Sequence, residues 1–223
     1  MARGYMLSAM SFDSVWPLPD LRLRCRGVEL RPAIENDLSH LAANLPDDYE
    51  HDPRAELLPW LSLRENRQRL ICQQYWRSVG TWSPSSWLLD FAVIYDGAVV
   101  GVQTLEADRF PTLRTVDSGS WLVMSVRGRG VGVAMRMAVL GLAFDHLDAV
   151  AAVSSARFDN PASLGVSRRI GYADNGVSLT ATPTGVADLV HLRLTADAWR
   201  TAGHGREVTV DGAQPCRPWF GAQ

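Results

Sequence analysis

The chain has 223 residues, of which 47% are hydrophobic and 21% are charged, as expected for a globular protein with one sizeable core. Its formal net charge of -2 argues against a nucleic-acid partner, because general nucleic-acid binders are usually basic. No apolar run is long enough to span a membrane, and the first residues make a poor signal peptide. We therefore expect a cytoplasmic protein with no membrane partner.

Arginine supplies every basic side chain, because none of the 22 lysine or arginine positions is a lysine. This excludes a P-loop nucleotide site, whose lysine binds the terminal phosphates, and a pyridoxal-phosphate enzyme, whose lysine forms a Schiff base. The three cysteines lie far apart and the five histidines follow no metal-binding pattern. Neither a disulfide framework nor a metal site is therefore expected.

The first third of the chain predicts one strand and two helices. Residues 1–26 contain prolines and show no clear periodicity, so we predict an irregular N-terminal arm. A short strand follows at 28–31. Apolar residues at helical spacing predict helices over 35–45 and 63–79, separated by an acidic, proline-containing loop at 46–60.

The period then changes from helical to alternating. Residues 88–95 and 98–106 are predicted strands joined at Asp96-Gly97, which is a strong hairpin signal. Residues 115–124 are predicted to be the third strand of this antiparallel meander.

The second half of the chain alternates helices and strands. We predict a helix over 131–147, a strand over 149–154 and a further helix that Asn160 caps, a succession typical of a parallel βαβ unit. Residues 172–179 and 187–194 are the closing strands. Residues 203–223 are rich in glycine and proline and are predicted to form an irregular tail.

The most informative motif is the glycine-rich turn at residues 127–132, which lies between a strand and the start of a helix. The first amides of a helix have no intrahelical acceptor, and the helix dipole places partial positive charge there. Glycine lets these amides approach a ligand closely, and the turn also carries two arginines. We therefore predict a site for a phosphate or pyrophosphate group.

The motifs of the second half resemble those of the GCN5-related N-acetyltransferases (GNAT). Arg127, Gly130 and Gly132 match that family's R/Q-x-x-G-x-G/A turn. A second motif is similar to one found in the branch of the family that acetylates ribosomal-protein N-termini (the RimJ/RimL-like branch). Its residues in this chain are Asn160, Ser163, Gly171 and Tyr172.

This resemblance implies an α/β (α+β) GNAT fold, in which a mixed, mostly antiparallel sheet is splayed between its central strands and flanked by helices. It divides the chain into an arm (1–26), an acetyltransferase domain (27–202) and a tail (203–223). It also implies an N-acetyltransferase that uses acetyl-CoA, with coenzyme A as the product. The branch includes dimers, so a homodimer is compatible with the sequence.

The resemblance assigns the pyrophosphate of coenzyme A to the glycine turn and its pantetheine arm to the splayed strand and Asn160. Two alternatives remain open, because the arginines could belong to a solvated loop and Asn160 could be a simple helix cap. The cofactor-binding residues predicted in this way are Leu122, Val123, Arg127, Gly128, Arg129, Gly130, Val131, Gly132 and Asn160.

Acetyl transfer to an amine needs a base, because the amine must lose a proton before it attacks the thioester. The candidate bases are Asp117, Glu106 and Asp108, each of which is equally compatible with a surface position. The resemblance places Ser163 near the thiol as a candidate acid, although it could also serve as a second capping hydroxyl. Many family members have a tyrosine acid at the position of Ser167.

The acidic loop at 46–60 borders the acceptor pocket in the family that the chain resembles. Its negative charge would attract a cationic amine, or would simply offset a helix dipole. The predicted acceptor is a primary amine on a protein N-terminus, a side chain or a small cationic molecule. Trp60, Trp82 and Trp87 could line a pocket, but tryptophans at such spacing more often belong to a core.

Two other functions are compatible with parts of the sequence. A non-catalytic acyl-CoA sensor on the same fold would explain the missing tyrosine and the unassigned base. A dinucleotide-binding oxidoreductase would need a glycine at the position of Val133, and the preceding strand would have to lie outside a meander.

Overall fold

A computed structural model describes residues 15–182 and 185–222, which form two β-sheets with helices packed against them. Ten strands and seven α-helices are present in this part of the chain. The strands are β1 (Arg22–Cys25), β2 (Val28–Pro32), β3 (Trp87–Tyr95), β4 (Ala98–Ala107), β5 (Thr115–Val116), β6 (Ser120–Leu122), β7 (Ala151–Arg157), β8 (Ala173–Thr182), β9 (Gly185–Thr195) and β10 (Val208–Asp211). The helices are α1 (Leu38–Ala43), α2 (Leu63–Gly80), α3 (Phe110–Leu113), α4 (Val131–Gly141), α5 (Pro161–Ile170), α6 (Ala196–Ala202) and α7 (Ala213–Cys216).

The two sheets meet at the segment that contains β5 and β6. The six-stranded sheet has the order β10-β1-β2-β3-β4-β6, and the four-stranded sheet has the order β5-β7-β9-β8. β6 pairs antiparallel with β4, whereas β5 pairs parallel with β7 only at Thr115 and Val116. Beyond these residues β7 and the β5–β6 segment separate. The edge of the segment that faces β7 therefore has no neighbouring strand, and the predicted splay is confirmed.

Local signals in the sequence explain several elements. Asp96 and Gly97 adopt φ angles of 50° and 76°, which is the geometry of a type I′ hairpin turn between β3 and β4. Ser62 and Glu65 form a reciprocal capping box at the start of α2, with N···O distances of 2.8 and 3.2 Å. Gly171 ends α5 with a φ of 103°, which glycine adopts without strain.

The main core lies around α4, which is buried on almost every side. Apolar residues fill ten of its eleven positions, in agreement with a helix enclosed by other elements. The exception is Arg136, which is 3% exposed and donates from Nη1 to Ser154 Oγ at 3.1 Å. The last turn widens to a π-helix over Leu142–His146, so the helix predicted to reach residue 147 changes type before it ends.

The flanks of the chain differ from their predicted irregular structure. Residues 1–14 of the predicted arm lie outside the described residues, but the following segment contributes β1 to the six-stranded sheet. The predicted tail adds β10 beside β1 and buries Phe220 completely. Glycine and proline form the turns between these short elements. Elements of only four residues are too short to show a periodic pattern of apolar residues.

The structure corrects one further prediction and agrees with two interpretations that the sequence favoured. The predicted strand at 115–124 is split into β5 and β6, because it leaves one sheet and joins the other. Trp87 belongs to the core and Trp82 packs against it, with ring centroids 6.0 Å apart, as the sequence favoured, whereas Trp60 is 74% exposed. The meander before the glycine turn is antiparallel, which disagrees with a doubly wound dinucleotide fold.

Among the residues that the structure describes, no helix is both long enough and apolar enough to cross a membrane.

Candidate active site

The glycine turn connects the end of β6 to the start of α4. Gly128 and Gly130 have φ angles of 76° and 86°, which any L-residue adopts only with strain. The space beside both glycines is open, since an added Cβ would have no atom within 4 Å. Gly132 has a different role, because a Cβ there would lie 3.4 Å from Val166 of α5. It lets the two helices pack closely.

The turn presents unused backbone donors. The Arg127 amide donates to the Met124 carbonyl and the Val133 amide donates to the Gly130 carbonyl, at 3.2 and 3.1 Å. Between them, the amides of residues 128–132 have no acceptor within the described part of the chain. Free amides at the start of an eleven-residue helix, next to open space, fit the pyrophosphate of coenzyme A.

The two arginines of the turn occupy different environments. Arg127 donates from Nε to the Leu122 carbonyl at 2.9 Å and forms a bidentate ion pair with Asp48, with N···O distances of 2.5 and 2.9 Å. This ion pair lowers the pKa of Asp48. Arg129 is exposed and has no hydrogen-bond or ion-pair partner among the described residues. Of the two, Arg129 is therefore the arginine whose donors remain available.

The unpaired edge of the β5–β6 segment continues from the glycine turn. The backbone groups of Asp117, Gly119 and Val123 bond to β4, so those of Leu122 and of the residues two and four positions earlier face the gap toward β7. This geometry favours the Leu122 amide as a donor to the pantetheine arm, because the Leu122 carbonyl already accepts from Arg127 Nε. The Val123 amide donates to the Val100 carbonyl at 2.9 Å, which leaves that donor occupied.

Asn160 and Ser163 lie at the first turn of α5. The Asn160 side chain accepts from the Ser163 amide at 3.1 Å and caps the helix. Ser163 is half-buried, whereas Ser167 is fully buried and its hydroxyl has no hydrogen-bond partner among the described residues. Val166 of α5 lies where a Cβ on residue 132 would touch it, so α5 packs beside the glycine turn.

Two of the predicted acids meet on adjacent strands. Glu106 and Asp117 exchange backbone hydrogen bonds of 2.9 and 2.8 Å, and directly opposed residues share a face of the sheet. Asp117 is also the first residue after β5, where the central segment parts from β7. The third candidate, Asp108, is exposed and accepts from Ser86 Oγ at 2.7 Å, outside this pair.

The environment of this pair makes both carboxyls weaker acids than usual. Burial raises the pKa of Asp117, although the Ser118 amide and the nearby Arg136 and His191 side chains act in the opposite direction. Burial also raises the pKa of Glu106, and the negative charges of Asp117 and Asp90 raise it further. A carboxylate with a raised pKa is a stronger base for a proton transfer.

The sequence did not single out Asp90, which lies on the same face as Glu106. Asp90 is 8% exposed and opposes Thr104, two residues before Glu106 on β4. Its only signal in the sequence is a charged residue inside the apolar run at 88–95. Without the strand register, this signal does not show that the side chain joins the other two acids.

The acidic loop is tied to both sides of the gap. Asp48 pairs with Arg127 near the glycine turn, and Glu50 accepts from Arg157 at the end of β7 at 2.6 and 2.7 Å. Tyr49 lies between these ties, and its ring centroid is 6.4 Å from that of Trp121. Most of the loop's charge is thus offset by arginine. Asp47 and Asp52 pair with Arg64 and Arg54, respectively.

The chain is similar to known acetyltransferases in sequence and in fold. A family model described as an acetyltransferase (GNAT) domain matches residues 28–173, which is more than half of the chain. Mycobacterium smegmatis RimJ, solved with a coenzyme A disulfide, is 21% identical with a TM-score of 0.63. The match covers 83% of this chain and 96% of that one.

Two further solved structures show the same fold. RimL, described as a ribosomal-protein alpha-N-acetyltransferase and solved with coenzyme A, is 19% identical with a TM-score of 0.58, covering 78% of this chain and 96% of that one. A chimera of the spermidine N-acetyltransferase SpeG from Vibrio cholerae and hSSAT is 14% identical with a TM-score of 0.61. That match covers 78% of this chain and 98% of the chimera.

Proposed function

This chain belongs to the GNAT family of acetyltransferases, and from that premise we propose which residues hold acetyl-CoA and which promote acetyl transfer. The enzyme is an acetyl-CoA-dependent N-acetyltransferase. We base the assignment of residues on two sets of free backbone groups that lie next to each other. The amides of residues 128–132 adjoin the strand edge at Leu122, and both border one gap.

The pyrophosphate binds to the amides of residues 128–132 at the start of α4, and Arg129 adds a charge-assisted hydrogen bond. The pantetheine arm accepts from the Leu122 amide at this strand edge, as an added strand would. Asn160 faces the same arm from the start of α5 while it caps that helix. Arg127 positions the turn, because it links the Leu122 carbonyl to the acidic loop.

Acetyl-CoA supplies a thioester, which a neutral amine can attack directly while both substrates are bound. Asp117 accepts the proton of the incoming amine, because its half-buried carboxylate, whose pKa burial raises, lies where the central segment leaves β7. Glu106 beside it raises the local negative charge and favours a cationic acceptor. Ser163 or solvent donates a proton to the departing thiolate. The acceptor is a protein N-terminus, a protein side chain or a small cationic amine.

Calorimetry with acetyl-CoA tests the cofactor site. We expect the double variant Arg127→Ala with Arg129→Ala to weaken binding by roughly tenfold or more, since the charged hydrogen bond from Arg129 to phosphate contributes about 1.5–3 kcal/mol and Arg127 positions the turn. A matched control, Arg200→Ala with Arg206→Ala, removes the same charge from exposed positions around α6 and should bind like the parent protein. Equal affinity of both double variants would contradict the assignment.

A thiol-release assay on a panel of amines tests transfer itself. Release above the hydrolysis background is expected with at least one amine, whereas tight binding without release would favour a non-catalytic acyl-CoA sensor. The homodimer and the cytoplasmic location remain predictions. The exposed Val177, Leu179 and Val186 on the β8–β9 hairpin support a test of the dimer by light scattering.

A further inference from the structure

A cavity of about 160 Å³ lies between the sheet and the first two helices, and two of its lining residues, Thr104 and Gly119, are two positions from Glu106 and Asp117. Asp90 and Thr104 belong to its wall on the sheet side, and Gly119 and Trp121 belong to the central segment. Apolar side chains of α1 and α2 cover the opposite side. These are Leu38, Leu41 and Ile71.

Asp90 is a buried carboxylate without a cationic partner. Oδ1 accepts from Thr104 Oγ1 at 2.7 Å and from Gln74 Nε2 at 3.2 Å, and Oδ2 is 3.4 Å from the same Gln74 atom. Within the described ranges no arginine or histidine pairs with it. A carboxylate can accept about four hydrogen bonds, so Oδ2 keeps acceptor capacity. Burying such a charge is unfavourable unless a cation or further donors approach it.

Asp90, Thr104 and Gly119 stand in one row across three strands. Asp90 opposes Thr104 in the β3–β4 register, and the Thr104 amide donates to the Gly119 carbonyl at 2.7 Å. Two strand spacings separate Asp90 from Gly119, a distance of about 10 Å. Gly119 has no side chain, and a Cβ added there would meet no atom within 4 Å. The cavity therefore extends from Asp90 to the edge of the β5–β6 segment at Gly119, which lies between Asp117 and Leu122.

The walls of the cavity suit a positive charge on an apolar stem. Tyr49 and Trp121 pack edge-to-face at one side, and Tyr75 lines the cavity as well. Aromatic faces attract cations, most strongly where water is excluded. The aliphatic side chains of α1 and α2 offer a surface for a hydrocarbon chain and no donor that could replace a cation at Asp90.

We propose that this cavity receives a second cationic group of the acceptor, and that the enzyme therefore prefers dibasic amines with nitrogens about 10 Å apart on an apolar chain. This inference rests on the proposed function. One nitrogen is acetylated at the gap beside Asp117, while the other, still protonated, binds to Asp90. Asp90 lies two strands from the gap, so it determines specificity and does not act as the base.

The test compares linear alkane diamines, whose lengths bracket this separation, with monoamines of equal length at saturating acetyl-CoA. We expect the parent enzyme to show a lower KM for the matched diamine than for its monoamine. Asp90→Asn should raise the KM for that diamine roughly 10- to 100-fold, with little change in kcat or in the KM for the monoamine. A similar KM for diamine and monoamine in the parent enzyme would overturn the proposal.

Asp96→Asn is the matched control, because it removes the same charge from the exposed turn between β3 and β4. Asparagine tolerates the positive φ of that position, so both KM values should stay at those of the parent enzyme. If Asp90→Asn raises the KM for monoamine and diamine equally, Asp90 is only structural and the proposal is wrong.

Gly119→Val provides a second test that does not alter Asp90. The position has space for a side chain and does not require a left-handed backbone, so the variant should fold. We expect the valine side chain to block the space between Asp90 and the strand edge, which should abolish the preference for diamines. Coenzyme A affinity, measured by calorimetry, should stay within about twofold, because the Gly119 carbonyl faces β4. An unchanged preference for diamines in Gly119→Val would contradict a diamine bound across Gly119 to Asp90.

The same assays distinguish a failure of this inference from a failure of the proposed function. Turnover of monoamines without any preference for diamines overturns this inference alone. Absence of turnover with every amine overturns the proposed function, and with it the inference.

Discussion

At the scale of single residues, the position of Asp117 matters more than its identity. It follows the last residue that pairs with β7, opposes Glu106 and is half-buried. Many acids of this chain are exposed and paired with arginine, such as Asp48 and Asp211. A raised pKa combined with this place in the sheet is what distinguishes Asp117 as the candidate base.

Activity should therefore depend on the ionisation of Asp117. Because burial raises its pKa above the ordinary value of 3.8, kcat/KM should begin to fall at a higher pH than an exposed aspartate would cause. Asp117→Asn should lower kcat by about 100-fold or more and flatten this acidic limb. Steady-state kinetics over a pH series measures both effects. An acidic limb that persists unchanged in the variant would refute the role of Asp117.

Asp90 should also link stability to pH. Burial raises its pKa in the folded state, so the native protein binds this proton more tightly than the unfolded chain. The resulting stabilisation is present below the unfolded pKa and is lost as pH rises through the folded pKa. Asp90→Asn does not titrate, so its unfolding free energy relative to the parent should improve as pH rises above 3.8. Urea denaturation at several pH values measures this change. A difference in unfolding free energy between Asp90→Asn and the parent that does not vary with pH would contradict it.

At the scale of elements, the glycine turn and the helix behind it act as one unit. Gly128 and Gly130 supply left-handed backbone, while Gly132 permits contact with α5. The turn therefore needs glycine for two different physical reasons, although the sequence motif shows the same residue at each position. Each glycine should therefore respond differently to substitution.

Gly130→Ala should destabilise the protein by about 1–2 kcal/mol, because alanine is strained at a φ of 86°. Coenzyme A affinity should fall as well, since the amides of the turn would shift. Gly165→Ala is the contrasting variant, because a Cβ in this exposed part of α5 meets no atom within 4 Å. It should raise the unfolding free energy by about 0.4–1 kcal/mol. A similar change in unfolding free energy for Gly130→Ala and Gly165→Ala would contradict a special need for glycine at position 130.

The acidic loop is the second element whose behaviour can be predicted. Its ties to Arg127 and Arg157 are partly exposed ion pairs, which usually contribute less than about 1 kcal/mol each. The double variant Asp48→Asn with Glu50→Gln should therefore keep global stability within about 2 kcal/mol while hydrogen exchange around Tyr49 accelerates. Asp52→Asn, whose partner Arg54 is two residues away, is the control and should leave exchange unchanged.

At the scale of the whole molecule, the C-terminal segment completes the core. Trp82 and Trp87 donate from Nε1 to the carbonyls of Trp219 and Phe220, at 2.9 and 3.2 Å. Phe220 is fully buried, with its ring centroid 4.8 Å from that of Trp87. β10 also covers the edge of β1. The division at residue 202 stays a prediction, but the residues after it pack as part of the fold.

Phe220→Ala should accordingly cost about 3–5 kcal/mol of stability, as expected for removing a buried aromatic ring. Leu179→Ala is the control, because its side chain is 74% exposed and should change stability by less than about 0.5 kcal/mol. Thermal and urea unfolding measure both variants. A loss below about 1 kcal/mol for Phe220→Ala would mean that the segment is a dispensable tail.

The sequence by itself determined the antiparallel meander, the glycine turn and the capped helix after Asn160, since these depend on local periodicity and turn chemistry. It also brought Asp117 and Glu106 forward as candidates. Only the tertiary structure decided that Asp90 joins them, that Asp108 does not, and that the Arg127 side chain pairs with Asp48. The reason is physical, because strand register and the approach of distant side chains depend on packing between elements far apart in the chain.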